Sequence, residues 1–197
     1  MARQDFKPST MLSPVPAVMV SCGTMEKPNI ITIAWTGTIN SDPAMAYVSI
    51  RKSRHSYNII KESGEFVINL TTASTCRATD FCGVKSGAQV DKFKKCGLTP
   101  IKSKTVAAPS IAQCPVSIEC KVKEVMPLGS HDMFIGEITN ISVDETFIDE
   151  KGRIRFDKFK LIAYAHGQYF QLGKSLGHFG FSVKKNSTKK RQREEKK

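Results

Sequence analysis

Apolar residues alternate with polar ones along several short stretches of the chain, a pattern typical of β-strands with one buried face. The alternation is cleanest from Val116 to Val125, and Met133 to Val143 follows as a second long strand. A hairpin is predicted from Phe147 to Phe156, where Gly152 supplies a left-handed turn position. The remaining predicted strands are Val15 to Cys22, Asn29 to Trp35, Ala46 to Ile50, Glu65 to Leu70 and Leu161 to Tyr164.

Helical patterns are fewer and shorter. They predict helices over Ser56 to Ser63, Thr72 to Phe81 and Val90 to Cys96, each ending at or shortly before a glycine. Strands therefore outnumber helices and do not alternate with them, which argues against a parallel doubly wound sheet. The pattern favours a mainly β chain built as a closed or partly closed antiparallel barrel with short connecting helices.

Length and charge refine the domain prediction. The chain has 197 residues, enough for one domain with a sizeable core. Residues 184–197 hold eight Lys or Arg and two Glu, so they contribute 8 − 2 = +6 of the total net charge of +12. With no apolar residue after Val183, this stretch lacks surface to bury. We expect residues 1–181 to form the domain and residues 182–197 a disordered basic tail.

Several classes of protein are disfavoured by what the sequence lacks. No stretch approaches the roughly 20 apolar residues of a membrane span, and the N-terminal stretch does not read as a signal peptide, so we expect a cytoplasmic protein without membrane contact. The six cysteines form no Cys-x-x-Cys pair, which favours free thiols over zinc or iron–sulfur ligands. The four histidines are too scattered to predict a metal cluster.

Chemistry-bearing residues concentrate in three stretches, the first of which is the strand Asn29 to Thr36. Ile31 and Ile33 would face the core, leaving Thr32, Ala34 and Thr36 on the opposite face. Small residues there let the backbone approach a planar ring, and Trp35, the only tryptophan, could cover an aromatic ligand. The alternative is a plain core strand whose tryptophan fills space.

The second stretch is basic and rich in serine. Ser49 to Asn58 holds three cations, a histidine and three serines where a predicted strand gives way to a helix. A helix N-terminus favours an anion, and Arg and Ser side chains add donors, so we interpret this stretch as a phosphate site. A solvated basic loop with a serine cap remains the alternative.

The third stretch runs from Gly129 to Ile138. His131 lies at the entry to a predicted strand, where a turn could present its imidazole to a pocket. A histidine there can hydrogen-bond a ring or assist proton transfer near neutral pH. The alternative is an ordinary histidine in a surface turn.

In their order and spacing, these stretches resemble the flavin reductase-like family of FMN-binding split β-barrels, which includes flavoredoxin-type proteins. The resemblance runs from about Val15 to Leu172, and it extends to Glu65–Leu70, to the loop from Asp80 through Ser86 and Phe93, and to Tyr169–Gly173. It implies an antiparallel split barrel of Greek-key type, and a homodimer that holds FMN noncovalently near the subunit interface.

The resemblance also implies roles for particular residues. Asn29, Thr32, Ala34, Trp35 and Thr36 would line the flavin ring. The phosphate end would be held by Arg51, Ser53, Ser56 and Tyr57, and the pocket completed by Asn69, Leu70, Cys82, Ser86 and Lys92. His131 matches a histidine that the family carries in a Gly-Asp-His turn, where it is a candidate catalytic residue; here Ser130 replaces that aspartate.

The expected function is that of an FMN-dependent oxidoreductase that passes electrons from NAD(P)H or a redox protein to an acceptor. Because the sequence has no Gly-x-Gly-x-x-Gly motif, any dinucleotide would have to share the FMN pocket. Two other hypotheses stay open: an electron-carrier module without NAD(P)H activity, and, less favoured, a nucleic-acid-binding protein that uses the basic tail. A reactive thiol at Cys82 is weighed against simple packing, and packing is preferred.

Overall fold

The computed structural model describes residues 1–183, and its largest element is a seven-stranded antiparallel sheet. The strands run in the spatial order β3-β2-β6-β9-β10-β5-β4. Their bounds are β2 (Val18–Gly23), β3 (Pro28–Ile33), β4 (Thr36–Ser41), β5 (Ala44–Arg51), β6 (Glu65–Leu70), β9 (Val116–Pro127) and β10 (His131–Val143). The expectation of a mainly β, antiparallel chain is confirmed.

The sheet curls until its two edges meet. The edge strands β3 and β4 are consecutive in the chain and are joined only by Ala34 and Trp35. A hydrogen bond from the Ser49 amide to the Trp35 carbonyl, 2.9 Å long, ties this connection to β5. The line between β3 and β4, which we call the seam, is therefore where the barrel stays open.

Alternating apolar residues fill the barrel, as the sequence pattern predicts. Ile31 and Ile33 point into this core together with Val20, Val48 and Phe134. Helix α1 (His55–Ser63) closes the core with Tyr57 and Ile60 and ends at Gly64, whose φ of 67° is the left-handed conformation expected of a C-terminal glycine. Helix α1 therefore starts four residues after β5 ends, beside the seam.

A second apolar core lies on the outer face of β2 and β3. Met19 and Ile30, which point out of the barrel, pack against Cys82, Phe93 and Ile111. These residues come from helices α2 (Cys76–Val84) and α3 (Lys92–Cys96) and from a small sheet of β7 (Pro100–Ile101) and β8 (Ser110–Ile111). Both faces of β3 are thus covered, and the end of the strand lies between α1 and α2.

A three-stranded sheet completes the fold. It pairs β1 (Val15–Pro16) with β11 (Ile162–Ala165), and β11 with β12 (Gln168–Gln171). The turn between β11 and β12 is His166-Gly167, and both residues have positive φ, 47° and 89°. This geometry matches the two-residue hairpin turn that follows the twist of its strands.

The structure corrects several sequence predictions. Strand β3 ends at Ile33, before Trp35, and α2 starts after a 3₁₀ turn at Ala73–Thr75 and continues through Gly83 to Val84. The predicted hairpin over Phe147 to Phe156 reverses at Asp149 to Gly152 as expected, with Gly152 at a φ of 72°. Its paired part is short: an antiparallel bridge between Ile148 and Ile154, flanked by 3₁₀ turns at Glu145–Phe147 and Phe156–Lys158. Phe147 and Phe156 pack on Phe159, with ring centroids 4.7 and 4.9 Å away.

No helix within residues 1–183 combines the length and the apolar character needed to cross a membrane. The predicted basic tail lies, from residue 184 onward, outside the described residues, so its disorder and the domain boundary at residue 181 stay predictions.

Candidate functional site

Three adjoining cavities follow β3 and the seam. We call them the serine cavity (about 70 Å³; Ser53, Ser56 and Ser86), the arginine cavity (about 200 Å³; Arg51 and Arg54) and the aromatic cavity (about 640 Å³; Trp35, Tyr164 and Tyr169). The first two share Ile31 and Arg54, and the last two share Thr32, Ala34 and Trp35. Because neighbouring cavities share walls, together they offer room for an elongated ligand.

The serine cavity is built around the start of α1. The first backbone N–H groups of a helix have no partner within it, and they carry the positive end of the helix dipole. Ser53 and Ser56 add hydroxyl groups on this side, and Ser86 adds one from the loop that follows α2. The donors and the positive charge of Arg54 suit a phosphate group.

Lys92 supplies a buried cation to the same cavity. Its ammonium group donates to the carbonyl oxygens of Ile30, at 2.7 Å, and Cys82, at 2.8 Å. Burial is the main cause that lowers the pKa of Lys92. An ammonium has three donors, so one remains for a ligand once the two carbonyl groups are satisfied.

Close packing at Gly87 shapes the cavity wall. The Asn29 amide donates to the Ser56 hydroxyl, 2.7 Å away. A Cβ atom at Gly87 would lie only 2.0 Å from Asn29 Oδ1. Any larger residue at position 87 would therefore displace the Asn29 side chain. Asn29 thus orients Ser56 and is itself 7 % exposed.

In the arginine cavity, His131 lies against Trp35. The two ring centroids are 4.5 Å apart at an interplanar angle of 47°, and the Ser130 hydroxyl is 2.9 Å from His131 Nδ1. Burial, followed by the positive charges of Arg51 and Arg54, lowers the pKa of His131. The imidazole is therefore neutral at pH 7, oriented by a serine rather than by a carboxylate.

Ten of the fifteen residues predicted for the site line these cavities. They are Thr32, Ala34, Trp35, Arg51, Ser53, Ser56, Cys82, Ser86, Lys92 and His131. Asn29 reaches the site through its bond to Ser56. The three stretches picked from sequence thus meet at one place on the surface of the barrel.

The structure does not bring the other four predicted residues to the cavities. The Thr36 hydroxyl donates to the Tyr47 carbonyl at 2.5 Å, and Leu70 packs against the barrel core. Tyr57 faces the barrel interior and donates to Asp132 Oδ2 at 2.5 Å.

Asn69 is fully buried, and its side-chain amide bonds Met19, Ser21, Ile111 and Ser117. The side chains of Thr36, Tyr57, Asn69 and Leu70 thus hold the fold that carries the site.

Cys82 lines the serine cavity as a thiol. Burial, together with the nearby Cys96, raises its pKa to about 12, so the thiolate needed for attack is absent at neutral pH. All six cysteines of the chain are free. This favours the packing interpretation of Cys82.

Sequence reasoning missed part of the site. Arg54 lines the serine cavity, and Tyr164 and His166 line the aromatic cavity. Arg54 lies in the basic stretch that was already singled out, so it could have been found. The residues of the β11–β12 hairpin reach the site only through long-range packing, which no local pattern reveals.

Comparison with known proteins agrees with this geometry. The family model of the flavin reductase like domain matches residues 10–173. An uncharacterised protein of Archaeoglobus fulgidus is 34% identical over 145 residues, which cover 74% of this chain and 81% of the relative.

Solved structures share the fold. Flavoredoxin of Desulfovibrio vulgaris (Miyazaki F) superposes with a TM-score of 0.86 at 31% identity, covering 93% of this chain and 100% of that one. An FMN-binding protein from Thermus thermophilus has a TM-score of 0.76 at 23% identity, covering 90% of this chain and 98% of that one. A protein with a split barrel domain from Shewanella frigidimarina has a TM-score of 0.75 at 20% identity, covering 85% of this chain and 86% of that one. The fold is accordingly the split barrel, and the chain belongs to the family of the flavin reductase like domain.

Proposed function

We propose that this protein binds FMN noncovalently along the three cavities and works as a flavin-dependent oxidoreductase. The observation that carries the proposal is the serine cavity, an anion site of helix N–H groups, serine hydroxyls and three cations, Arg54, Lys85 and Lys92, beside a groove walled by β3 and Trp35. A phosphate and a planar ring on one ligand match these neighbouring features. The likeness to flavoredoxin over nearly the whole chain supports the same cofactor.

The residues present fit the cofactor. Ser53, Ser56, Ser86, Arg54 and Lys92 would hold the phosphate end. The strand end at Thr32 and Ala34 presents small side chains, so a ring can approach the backbone, and Trp35 contributes an aromatic wall. Gly87 keeps the serine cavity open at the phosphate end, because a Cβ atom there would lie 2.0 Å from Asn29 Oδ1.

Bound FMN would supply hydride and electron transfer, and the protein would supply position and charge. Arg51 and Arg54 place positive charge beside the arginine cavity, which favours negative charge developing there. The neutral imidazole of His131 can accept a proton at Nε2 in the tautomer whose Nδ1–H donates to the Ser130 hydroxyl. Trp35 is 39% exposed and lines the groove on the side of the seam.

The test is the absorption spectrum of the purified protein and the identity of any chromophore released on denaturation. We expect flavin bands and released FMN, or uptake of added FMN by colourless protein. A double variant, Ser56→Ala with Ser86→Ala, should bind FMN about tenfold or more weakly, since two hydroxyl donors are lost. Ser63→Ala, at an exposed serine at the end of α1, is the matched control. Protein that holds no flavin and takes up none would refute the proposal.

The electron donor separates two versions of the function. An NAD(P)H-dependent enzyme requires the nicotinamide to enter the same groove, whereas a flavoredoxin-like carrier takes electrons from a redox protein. The full-length likeness to a flavoredoxin favours testing the carrier version alongside the enzyme. Steady-state reduction with NADH, NADPH and a reduced ferredoxin-type protein decides between them. Turnover with neither nucleotide, together with reduction by the protein, would exclude the enzyme version.

We also propose a homodimer. The segment after β12 exposes large apolar side chains, among them Leu172, Leu176 and Phe179, of which the last two are 96% and 105% exposed. A single copy leaves these side chains in water, whereas a second copy would bury them.

A further inference from the structure

A buried carboxylate lies next to the site without lining any of its three cavities. Asp132 is the second residue of β10 and is 5% exposed. It pairs in register with Ile50, whereas the residue before it, His131, pairs with Arg51. Because successive residues of a strand point to opposite faces, His131 faces the arginine cavity and Asp132 faces the barrel interior. Asp132 can therefore act on the site only through other residues.

The two carboxylate oxygens of Asp132 hold two different side chains. Oδ2 accepts a hydrogen bond of 2.5 Å from the Tyr57 hydroxyl, and Oδ1 lies 3.4 Å from Lys52 Nζ in an ion pair. Oδ1 has no hydrogen-bond partner within residues 1–183, so Lys52 provides its compensation. A buried carboxylate without compensation is strongly unfavourable. Lys52 is thus held over Asp132 although its own side chain is 56% exposed.

Lys52 and Tyr57 flank the segment 53–56, which carries donors of the proposed phosphate site. All four residues of this segment line the serine cavity. The segment leaves β5 in a turn, where the Arg54 amide donates to the Arg51 carbonyl at 3.0 Å, and it then enters α1. A single carboxylate therefore fastens both ends of a four-residue segment to the start of β10. We call these two contacts the Asp132 bridge.

The segment has little other support from side chains. Its first three residues are exposed, and Arg54, at the N-cap position of α1, makes no side-chain capping bond. In the described part of the chain, the one side-chain hydrogen bond within this segment is that from the Asn29 amide to Ser56. The placement of Ser53 and Arg54 thus depends on the contacts of the residues that flank them.

We propose that Asp132 is a positioning residue for phosphate: through Lys52 and Tyr57 it holds the segment 53–56 in the conformation that binds the phosphate of FMN. The inference rests on the proposed function, since FMN is the ligand whose phosphate the segment would hold. It gives Tyr57, which the family resemblance assigned to the phosphate end, a role behind the cavity instead of in its wall. Residues behind a binding site commonly fix the geometry of the groups that touch the ligand.

Charge and positioning predict opposite effects for Asp132→Asn. The hydrogen bond from Tyr57 is the main cause that lowers the pKa of Asp132, so the carboxylate is ionised at pH 7. Asp132→Asn removes this negative charge, and electrostatics alone would make the basic segment bind FMN more tightly. The variant also turns one oxygen into an NH₂ group, which accepts from neither Tyr57 nor Lys52. Loss of positioning therefore weakens FMN, and the sign of the change separates the two effects.

The experiment measures the ratio of the dissociation constants of riboflavin and FMN. The two flavins share the ring, so this ratio reports the phosphate site and is insensitive to a general loss of stability. We expect Asp132→Asn and Tyr57→Phe each to lower the ratio about fivefold or more. Glu62→Gln and Tyr47→Phe make the same chemical changes away from the Asp132 bridge and should leave the ratio unchanged. A ratio that is unchanged or higher in Asp132→Asn or in Tyr57→Phe overturns the proposal.

Lys52→Met tests the other contact of the bridge at a surface position, where the substitution is compatible with folding. Loss of a cation can weaken FMN by itself, so the double variant with Asp132→Asn is measured as well. If the two residues act through one contact, Lys52→Met should lower the ratio about fivefold in the wild-type background and have little effect in Asp132→Asn. Equal effects in the two backgrounds overturn the proposal.

Titrations of the wild type keep this proposal apart from that of the cofactor. Wild-type protein that binds FMN without preferring it to riboflavin overturns the role of Asp132 alone. Wild-type protein that takes up neither flavin overturns the proposed cofactor, and inorganic pyrophosphate then serves as the probe of the anion site. Asp132→Asn and Tyr57→Phe should bind pyrophosphate about fivefold more weakly than the wild type. Equal pyrophosphate binding by wild type and variants, or binding by none of them, overturns the role of Asp132 as well.

Discussion

At the scale of single residues, Lys92 is the group on which the site most depends. Its buried ammonium joins β3 to the end of α2 through the carbonyl groups of Ile30 and Cys82, and it faces the serine cavity. One side chain thus positions the cavity wall and supplies part of its charge. Its burial is tolerated because both carbonyl groups accept from it.

Lys92→Met keeps the hydrophobic stem and removes the cation. We expect the dissociation constant for FMN to rise by about tenfold to a hundredfold, because a charge-assisted donor is lost. The free energy of unfolding should fall by about 1–3 kcal/mol, since two carbonyl groups lose their partner. Flavin titration and urea unfolding measure the two effects. Lys95→Met, on the exposed side of α3, is the control and should change neither. Unaltered FMN affinity in Lys92→Met would remove Lys92 from the binding site.

Glu119 has the opposite role, since it serves stability away from the cavities. Its buried carboxylate accepts from the Thr105 amide at 2.6 Å, the Lys104 amide at 3.0 Å and the Asn140 side chain at 2.9 Å. Burial alone would raise the pKa of Glu119, but these hydrogen bonds outweigh it and the pKa is lowered. The ionised form is therefore the one that the fold stabilises.

Glu119→Gln should lower the free energy of unfolding by about 2–4 kcal/mol at pH 7. The NH₂ group of the glutamine would face the N–H donors that the carboxylate now accepts from, and it cannot accept from them. Since the pKa is lower in the folded state, the contribution of Glu119 is present above pH 4.5 and fades as the pH falls through the folded value. The difference between wild type and variant should thus shrink in acid. Urea unfolding at several pH values measures it, with Glu124→Gln on the same strand as control. A difference in unfolding free energy between wild type and Glu119→Gln that stays constant down to low pH would contradict this account.

At the scale of elements, glycines with two different roles flank the site. Gly64 ends α1 with a positive φ, and a Cβ atom there would meet nothing within 4 Å. Gly87 has a crowded position, where a Cβ atom would displace the Asn29 amide from Ser56. The first glycine is needed for the backbone conformation of a helix end, and the second for the shape of a cavity.

Alanine at position 64 should therefore affect mainly stability, and alanine at position 87 mainly FMN affinity. Gly64→Ala should cost about 1 kcal/mol of unfolding free energy and leave FMN affinity unchanged. Gly87→Ala should weaken FMN about tenfold with a smaller effect on stability, because the group it displaces is the end of a side chain. Thermal unfolding and flavin titration on both variants form the comparison. The reverse pattern would show that Gly87 serves the fold rather than the site.

The elements also show where sequence reasoning works. Strand β9 has an alternation that reads directly from the chain, and β6, which is buried on both faces, was found from its short run of apolar, strand-favouring residues. Strand β4 was missed because four of its six residues are exposed, so it has no apolar face to detect. Helix α1 and its serines were found because capping and charge are local signals. Cys82 of α2 was indicated by the family resemblance, whereas Tyr164 of β11 was not found, since only the folded barrel brings it to the cavities.

At the scale of the whole molecule, the apolar segment after β12 bears on assembly. We expect a mass near twice the chain's 21.8 kDa in size-exclusion chromatography with light scattering. Leu176→Asp should shift this towards the single chain, because it places a charge in the proposed contact. Ile154→Asp, at an exposed apolar residue elsewhere, is the control. A wild-type protein that runs as a single chain at all concentrations would refute the homodimer.

The seam between β3 and β4 has a mechanical consequence. A fully hydrogen-bonded barrel resists deformation equally around its circumference, because every displacement stretches the ladder. Here the strand pairing is interrupted between the edge strands β3 and β4. The groove runs along this interruption, beside the two-residue connection at Ala34 and Trp35. We expect the walls to part more easily along the seam than between hydrogen-bonded strands. Loading and release of a cofactor should then be faster than global unfolding, which a comparison of flavin uptake and urea unfolding rates would test.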